Sequence, residues 1–301
     1  MIVVMAGASG FLGSLLRQRL ADDGHEIVQL VRREPARPGE LRWWPERREL
    51  DPTLLAGADA VVNLAGAGVE DKRWNDSYRA QLRSSRLGPT ETLATTLSAL
   101  RAAQRPRVVL NASAVGFYGD TGDTSVDENS PPGQGFFPEL CQAWEAATQP
   151  AQDAGVRVVR LRTGFPLHAS GGLLKPLLLP FRLGVGGRLG NGRQWMPVMS
   201  VHDWLSAVMF LLARDDIAGP VNLVGASPVR NADFTKALGR VLHRPAIAVV
   251  PKLALRALIG EFANEAVESQ RVLPSVLTAS GFTFRHPDVD SALRAGLSGG
   301  A

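Results

Sequence analysis

The chain opens with Met1-Ile-Val-Val-Met-Ala-Gly7-Ala-Ser-Gly10-Phe-Leu-Gly13-Ser-Leu-Leu16. The apolar run that precedes Gly7 predicts a strand, and the leucines that follow Gly10 recur with the period of an amphipathic helix. Between them stand three glycines at G-x-x-G-x-x-G spacing. A second apolar strand is predicted at Glu26–Val31. A strand, a glycine turn, a helix and a second strand in immediate succession indicate an α/β fold.

The three glycines predict a binding site for the pyrophosphate of a dinucleotide. Gly7 makes the tight turn, Gly10 lets the backbone approach the phosphates, and Gly13 lets helix and strand pack closely. The unpaired N–H groups and the dipole at the start of the helix favour an anion. The alternative is a structural glycine turn in another kind of α/β protein. The turn residues that we expect to contact the cofactor are Gly7, Ser9, Gly10, Phe11, Leu12 and Gly13.

The bulk composition is that of an ordinary globular protein. Of 301 residues, 45% are hydrophobic and 21% are charged, with a formal net charge of +4. The basic residues are spread along the chain, so we expect no nucleic-acid partner. No apolar run approaches the roughly 20 residues that span a bilayer, so we expect no membrane partner. A single cysteine, Cys141, cannot form an internal disulfide, which favours the reducing cytoplasm.

Strands and helices alternate along the first two-thirds of the chain. This alternation predicts a Rossmann-type, doubly wound parallel sheet with right-handed crossovers. We assign residues 1–163 and 198–225 to this nucleotide-binding domain, and residues 164–197 and 226–301 to a smaller, mostly helical substrate-side lobe. The predicted strands are Ile2–Ala6, Glu26–Val31, Ala58–Leu64, Arg107–Ala112, Val156–Arg162 and Pro220–Val224. The predicted helices after the first are Asn75–Ala103, Pro138–Ala154, Val201–Ala213, Asn231–His243 (with Asn231 as its N-cap), Lys252–Gly260 and Glu265–Ser280.

Further motifs extend from the second third of the chain to its C-terminal part. They are Asn63-Leu-Ala-Gly66, Asp71-Lys-Arg-Trp74, Asn111-Ala-Ser-Ala-Val-Gly-Phe-Tyr-Gly119, Arg160-Leu-Arg-Thr-Gly164, Gly192-Arg-Gln-Trp-Met196, Gln270-Arg-Val-Leu-Pro274 and Gly281-Phe-x-Phe284. With the glycine turn, they make the chain resemble the short-chain dehydrogenase/reductase superfamily, in its extended or atypical branch. The resemblance is to the epimerase-like subgroup of NAD-dependent epimerase/dehydratase proteins, often described as sugar-nucleotide epimerases. It spans nearly the whole chain and is more specific for family than for reaction.

The end of the second strand selects the cofactor in dinucleotide-binding folds. An acidic residue there bonds the ribose 2′-OH of NAD, whereas arginine accommodates the 2′-phosphate of NADP. Here the strand ends in Arg32 and Arg33, whose forked donors suit a phosphate. We therefore predict NADP(H), although two solvated surface arginines are the alternative. The next strand end is expected to follow the adenosine and ribose with Asn63, Leu64, Ala65 and Gly66.

The acid–base pair that the resemblance implies is absent. The superfamily's usual chemistry needs a tyrosine that transfers a proton and a lysine four residues later that lowers its pKa. The two tyrosines, Tyr78 and Tyr118, have leucine and glycine at that spacing. Counting back from Glu145, the resemblance aligns Cys141 with the lysine and Phe137 with the tyrosine. A phenyl ring cannot transfer a proton, and a thiol carries no positive charge.

Two residues remain candidates for catalysis, Tyr118 and Ser113. Tyr118 is the one tyrosine expected near the nicotinamide, although in relatives such a residue more often packs structurally. The resemblance places the catalytic Ser or Thr at Ala114, with Ser113 one residue earlier and also near the cofactor. Arg86 stands where many relatives carry an asparagine. Cys141 as a nucleophile is an alternative, but a lone helical cysteine is more often a buried small hydrophobe.

Two clusters are candidates for the substrate. Lys72, Arg73 and Trp74 follow the Asn63–Gly66 strand end, where the crevice of a doubly wound sheet lies, and suit an anionic or planar group. The alternative is an exposed approach to the long helix. Arg193 and Trp195 lie in the glycine-rich segment expected to form the substrate-side wall, and Trp195 could equally cover the core.

We predict no metal, because His, Cys and Asp residues nowhere show ligand spacing. The adjacent His202 and Asp203 are expected to cap a helix. Two functions follow. The first is an NADP(H)-dependent epimerase or oxidoreductase that acts on a small molecule, a nucleotide-sugar or a carbonyl compound, by an atypical proton route. The second is an NADPH-binding sensor or accessory protein with little or no catalysis. We expect a monomer or a homodimer.

Overall fold

The structure, a computed structural model, describes residues 1–251 and 268–298. The strands are β1 Ile2–Ala6, β2 Glu26–Val31, β3 Glu40–Arg42, β4 Ala60–Asn63, β5 Val108–Ala114, β6 Ser125–Val126, β7 Arg157–Thr163, β8 Phe165–Leu167, β9 Gly187–Leu189, β10 Trp195–Met196, β11 Val198–Ser200, β12 Gly219–Leu223, β13 Val229–Arg230, β14 Ala248–Val250 and β15 Arg271–Val272. The α-helices are α1 Phe11–Asp22, α2 Asp76–Ala99, α3 Phe136–Ala146, α4 Gln149–Asp153, α5 Leu174–Arg182, α6 Val201–Ala213, α7 Asn231–Leu242, α8 Ser275–Ala279 and α9 Val289–Leu297.

The described part of the chain contains a seven-stranded sheet in the order β3-β2-β1-β4-β5-β7-β12. All of its pairings are parallel, as the alternation of strands and helices predicts. The strand order reverses at β1, which pairs with β2 on one side and with β4 on the other. The carboxyl ends of β1 and β4 therefore flank a crevice, the place where such sheets bind ligands.

Helices cover both faces of the sheet, which explains why its central strands are continuous apolar runs. On one face, Leu16 of α1 and Trp204 of α6 are fully buried against β1 and its neighbours. On the other face, Leu93 and Leu97 of α2 and Ala151 of α4 pack against the alternate side chains of the same strands. The two cores fix the crevice between rigid layers.

A third apolar cluster lies among the short strands and the helices of the predicted substrate-side lobe. It joins Leu178 and Phe181 of α5 to Phe234 and Leu238 of α7 and to Leu293 of α9. Pairings β8 with β11, β9 with β14 and β10 with β13 connect these segments. The lobe thus has hydrophobic side chains of its own to bury.

Several element predictions need correction. The edge strand β3 was not expected, because its three residues are too short to show a pattern. The helix expected at Pro138–Ala154 is two helices, α3 and α4, and residues 268–280 form β15 and the short helix α8 rather than one helix. Asn231 does not cap its helix; Arg230 stands at the N-cap, and the Asn231 amide oxygen accepts the Leu189 N–H at 2.8 Å. The helix predicted at Lys252–Gly260 lies outside the described residues.

Candidate functional site

The glycine turn has the conformation that its spacing predicts. Gly7 has φ of +78°, and a Cβ on it would lie 2.5 Å from the Leu64 carbonyl carbon. A Cβ on Gly13 would lie 2.1 Å from the Gly7 oxygen, so helix α1 could not pack against the turn. Gly10 is the N-cap residue of α1 and offers no side-chain acceptor to the first helical N–H groups. Because no side chain of the N-cap residue accepts from them, the N–H groups at the start of α1 suit a bound phosphate.

A groove of about 990 Å³ runs from this turn along the sheet edge. It is bounded by the turn, the end of β2, the segment after β4 and one face of α2. Phe11, at the start of α1, packs on Gly171, where a Cβ would come within 2.4 Å of its ring. The segment after β8 therefore lies against the helix start. The predicted cofactor residues that line the groove are Gly7, Ser9, Gly10, Arg32, Arg33, Leu64, Ala65 and Gly66.

The two arginines after β2 have different surroundings. Arg33 donates two hydrogen bonds to the Glu40 carboxylate, at 2.7 and 2.6 Å. This guanidinium and the Ala36 N–H lower the pKa of Glu40 to about 2. Arg32 is exposed, and within residues 1–251 and 268–298 no hydrogen bond or ion pair holds its side chain. Of these two arginines, Arg32 is therefore the one available to a ligand in the groove, whereas Arg33 neutralises the acid beside it.

Asn63 has a supporting place in the predicted cofactor site. It is fully buried at the end of β4, next to Asn111 on β5. Its amide nitrogen donates to the Asn111 amide oxygen at 2.7 Å and to the Thr90 hydroxyl at 3.0 Å. Its amide oxygen accepts the Ala65 N–H. Asn63 thus fixes the segment that lines the groove rather than facing the groove itself.

Tyr118 and Ser113 lie in a buried polar network. Tyr118 is 3% exposed, and its hydroxyl donates to the Asn222 amide oxygen at 2.8 Å and accepts from Arg162 at 2.9 Å. Burial raises the pKa of Tyr118 to about 12. The Ser113 hydroxyl donates to Glu145 at 2.7 Å. Arg162 holds the same carboxylate through two bonds of 2.8 Å.

This network revises both catalytic predictions. The hydroxyls of Tyr118 and Ser113 both have hydrogen-bond partners inside the protein. These bonds belong to a network that connects β5, β7, α3 and β12. One signal for the network is visible in the sequence, because Arg162 lies among the apolar residues of β7. A charged residue on a buried face needs a partner, but the sequence does not say which carboxylate supplies it.

On α3, neither Phe137 nor Cys141 could replace the missing acid–base pair. Phe137 packs against the turn after β5, since a Cβ on Gly116 would lie 3.1 Å from its Cβ. Cys141 is 1% exposed, and burial raises the pKa of its thiol to about 12. A neutral buried thiol is a poor nucleophile, so the structural interpretation of Cys141 is favoured.

The residues of the first predicted substrate cluster, Lys72, Arg73 and Trp74, differ in their exposure to solvent. Trp74 is buried, with its ring against Phe136 and Phe137 at 5.3 and 5.2 Å, and its indole N–H donates to the Val69 carbonyl. This packing corrects the expectation that Trp74 faces a substrate. Lys72 and Arg73 are exposed.

The second cluster is tied to a distant loop. The Trp195 indole N–H donates to Asp123 at 3.0 Å, and the guanidinium groups of Arg230 and Arg271 stack on its ring at 4.4 and 4.7 Å. Trp195 is half-buried in this stack, and Arg193 beside it is exposed. The contacts with Asp123 and the arginines account for Trp195 without a ligand.

Among residues 1–251 and 268–298, no helix is long and apolar enough to cross a membrane, and no group of three His, Cys, Asp or Glu side chains could hold a metal ion. The expected capping role of Asp203 is wrong: Ser200 is the N-cap of α6, and its hydroxyl accepts the Asp203 N–H. The Asp203 carboxylate instead accepts the backbone N–H groups of Arg285 and His286.

Comparison with known proteins agrees with the fold. The sequence model of the NAD dependent epimerase/dehydratase family matches residues 3–224, and that of a domain of unknown function, DUF1731, matches residues 250–295. Epimerase family protein Mb2239 of Mycobacterium bovis is 45% identical over 293 residues, covering 97% of this chain and 96% of its own. Epimerase family protein SDR39U1 of Mus musculus is 36% identical, covering 98% and 99%.

Solved structures show the same likeness. The crystal structure of human epimerase family protein SDR39U1 (isoform 2) with NADPH has a TM-score of 0.90 at 33% identity, covering 98% of each chain. The crystal structure of a nucleoside-diphosphate sugar epimerase from Corynebacterium glutamicum has a TM-score of 0.80 at 36% identity. That match covers 97% of this chain and 57% of the other.

Proposed function

This chain belongs to the NAD dependent epimerase/dehydratase family, and from that premise we propose that it binds NADP(H) in the groove beside the glycine turn. The proposed reaction is hydride transfer between that cofactor and a small molecule, a carbonyl compound or a nucleotide-sugar. The lobe of residues 164–197 and 226–301 is proposed to form the substrate side. A similar structure, that of human SDR39U1, is a crystal structure with NADPH, which supports this choice. The single cysteine fits a cytoplasmic protein.

The choice of NADP(H) over NAD(H) is carried by Arg32. This exposed guanidinium lies at the end of β2, and no carboxylate within the described residues holds it. The acid that could have bonded a ribose 2′-OH, Glu40, is engaged by Arg33. An arginine at this position suits a 2′-phosphate.

The glycine turn fits the group as well. The spaces beside Gly7 and Gly13 admit no Cβ, and a Cβ on Gly10 would meet only the Gly7 oxygen, at 3.4 Å. The backbone at Gly10 is therefore open to a phosphate. When bound, the nicotinamide supplies hydride chemistry. The chain's own residues bind and orient it.

Proton transfer is where this chain departs from its family pattern. Phe137 cannot donate a proton, and the hydroxyl of Tyr118 and the thiol of Cys141 are buried with raised pKa values. We therefore propose that the proton of any carbonyl reduction comes from solvent or from the substrate. The same observation favours a second candidate function, an NADPH-binding sensor or accessory protein without turnover.

Cofactor choice is tested by titrating NADPH and NADH into the protein and into two variants. Arg32→Ala should weaken NADPH binding about tenfold or more, because a charge-assisted pair with a phosphate is lost, and should leave NADH binding unchanged. Arg37→Ala removes an exposed arginine from the same loop and should change neither. Equal affinity of the unmodified protein for NADPH and NADH would refute the assignment.

Turnover separates the two functions. Stopped-flow fluorescence follows bound NADPH after mixing with carbonyl compounds and nucleotide-sugars. Oxidation of NADPH by any member of the panel supports the enzyme. Tight binding of NADPH without oxidation by any of them supports the sensor.

A further inference from the structure

Arg86 occupies the seam between α2 and α3, beside the crevice. Its guanidinium lies 5.2 Å over the Trp144 ring, and its Nη1 donates to the Leu82 carbonyl at 3.1 Å. A Cβ on Gly66 would lie 3.4 Å from its Cγ and 3.5 Å from its Cζ. Gly66 is exposed and lines the groove. The half-buried arginine thus lies directly behind the open strand end.

The charge of Arg86 has no counter-charge in the described residues. Its electrostatic neighbours are Cys141 and Tyr78, and burial raises the pKa of both, so both are neutral near pH 7. Burial also lowers the pKa of Arg86 itself, but an arginine side chain stays protonated in proteins. The nearby acid on α3, Glu145, is held by Arg162.

Arg162, which also lies beside α3, has a carboxylate partner, because it pairs with Glu145. A half-buried cation without a counter-charge is costly, because it loses water and gains no anion in return. Such a cost is retained where a ligand supplies the missing charge.

We propose that Arg86 binds an oxyanion, a carboxylate or phosphate group, of the small-molecule substrate. This inference rests on the proposed function, because it assumes NADP(H) in the neighbouring groove. In that groove, the proposed binding sites for the cofactor's own phosphates are the glycine turn and Arg32. Arg86 lies instead near Cys141 and the Trp144 ring on α3, and Cys141 is the position that the resemblance aligns with the lysine of the missing pair. The planar fork of a guanidinium suits a two-oxygen anion.

The test measures small oxyanions on the NADPH-saturated protein. Inorganic phosphate and oxalate are titrated separately at constant ionic strength, and the melting temperature is followed. Saturation with NADPH keeps these anions out of the cofactor's phosphate sites. We expect at least one of them to stabilise the unmodified protein, and the affinity to fall about tenfold or more in Arg86→Gln. The anion that binds identifies phosphate or carboxylate as the preferred group.

Two further variants complete the design. Arg86→Lys keeps the charge without the fork and should retain part of the affinity, which also serves if Arg86→Gln does not fold. Arg101→Gln removes an exposed arginine that follows α2 before β5, at the opposite edge of the sheet, and should match the unmodified protein. It corrects for the general stabilisation that phosphate gives to proteins.

Three outcomes would overturn the proposal. In the first, the anions would have no effect on the melting temperature of the unmodified protein. In the second, they would stabilise Arg86→Gln as much as the unmodified protein. Alternatively, Arg86→Gln loses affinity for NADPH but not for 2′,5′-ADP, a fragment without the nicotinamide ribose, which would assign Arg86 to the cofactor. Failure of the unmodified protein to bind NADPH is a separate result, and it would refute the proposed function itself.

Discussion

Tyr118→Phe removes one oxygen atom from a buried position, and its effect distinguishes a structural tyrosine from a catalytic one. The hydroxyl is the donor to the Asn222 amide oxygen at 2.8 Å and the acceptor of an Arg162 N–H at 2.9 Å. Neither partner can reach water easily, because Asn222 is fully buried and Arg162 is 4% exposed. The substitution therefore leaves both partners without this bond.

The magnitude follows from these two contacts. A buried polar group without a partner costs about 1–3 kcal/mol. The Arg162 nitrogen keeps a weaker contact with the Glu128 carbonyl at 3.4 Å, whereas no other hydrogen bond to the Asn222 amide oxygen is found in the described residues. We expect Tyr118→Phe to lower the free energy of unfolding by about 2–4 kcal/mol.

Urea denaturation followed by circular dichroism measures this loss, and NADPH titration measures the cofactor site. The matched control is Tyr78→Phe, since the Tyr78 hydroxyl donates to the carbonyl of Gly68, a half-buried residue that water can reach. Its cost should be about 1 kcal/mol. Both variants should bind NADPH within twofold of the unmodified protein.

The opposite pattern would refute the structural role of Tyr118. If Tyr118→Phe kept its free energy of unfolding but lost NADPH affinity or hydride transfer by tenfold, its hydroxyl would have to face the cofactor. The pH dependence gives a second check. Because the pKa of the folded-state phenol is raised to about 12, its stabilising contribution is complete below pH 10 and is lost as the pH rises through 12.

Three further predictions follow from the packing. Gly13→Ala should unfold the turn and abolish NADPH binding, because its Cβ would meet the Gly7 oxygen at 2.1 Å. Gly10→Ala should fold and lose only affinity for NADPH, and equal melting temperatures of the two variants would contradict this. Glu145→Gln should lower the free energy of unfolding by about 3–5 kcal/mol, because it leaves the Arg162 charge uncompensated. An unchanged midpoint of urea denaturation would exclude a strong Arg162–Glu145 pair. The Cys141 thiol, with its pKa raised to about 12, should make stability fall between pH 9 and pH 12, and a Cys141→Ala profile as steep as the original would argue against it.

Parts of the site could be predicted because they depend on neighbouring residues. The turn at Gly7 needs a positive φ and a backbone without side chains, and both requirements are written in consecutive residues. The strands β1 and β2 have the bounds that their apolar runs predict. Arg32 follows the same logic, because its position after β2 places it at the groove.

Other parts could not be predicted, because a polar side chain takes its chemistry from its neighbours in space. In the sequence, Trp74 and Arg33 stand where ligand-binding residues are expected. In the structure, Trp74 packs on α3 and Arg33 pairs with an acid on β3. Tyr118 is 104 residues from Asn222, the partner that holds its hydroxyl. No local pattern carries information about such a distant contact.

The sequence by itself determined the α/β fold, the family and the dinucleotide turn, because backbone geometry and hydrophobic period are local properties. Only the tertiary structure decided which charged and hydroxyl groups are available. It joined Ser113, Glu145, Arg162 and Tyr118 in one buried network and left Arg86 without a counter-charge in the described residues. Burial removes water from all of these groups, so the partners that the fold supplies or withholds set what each one can do.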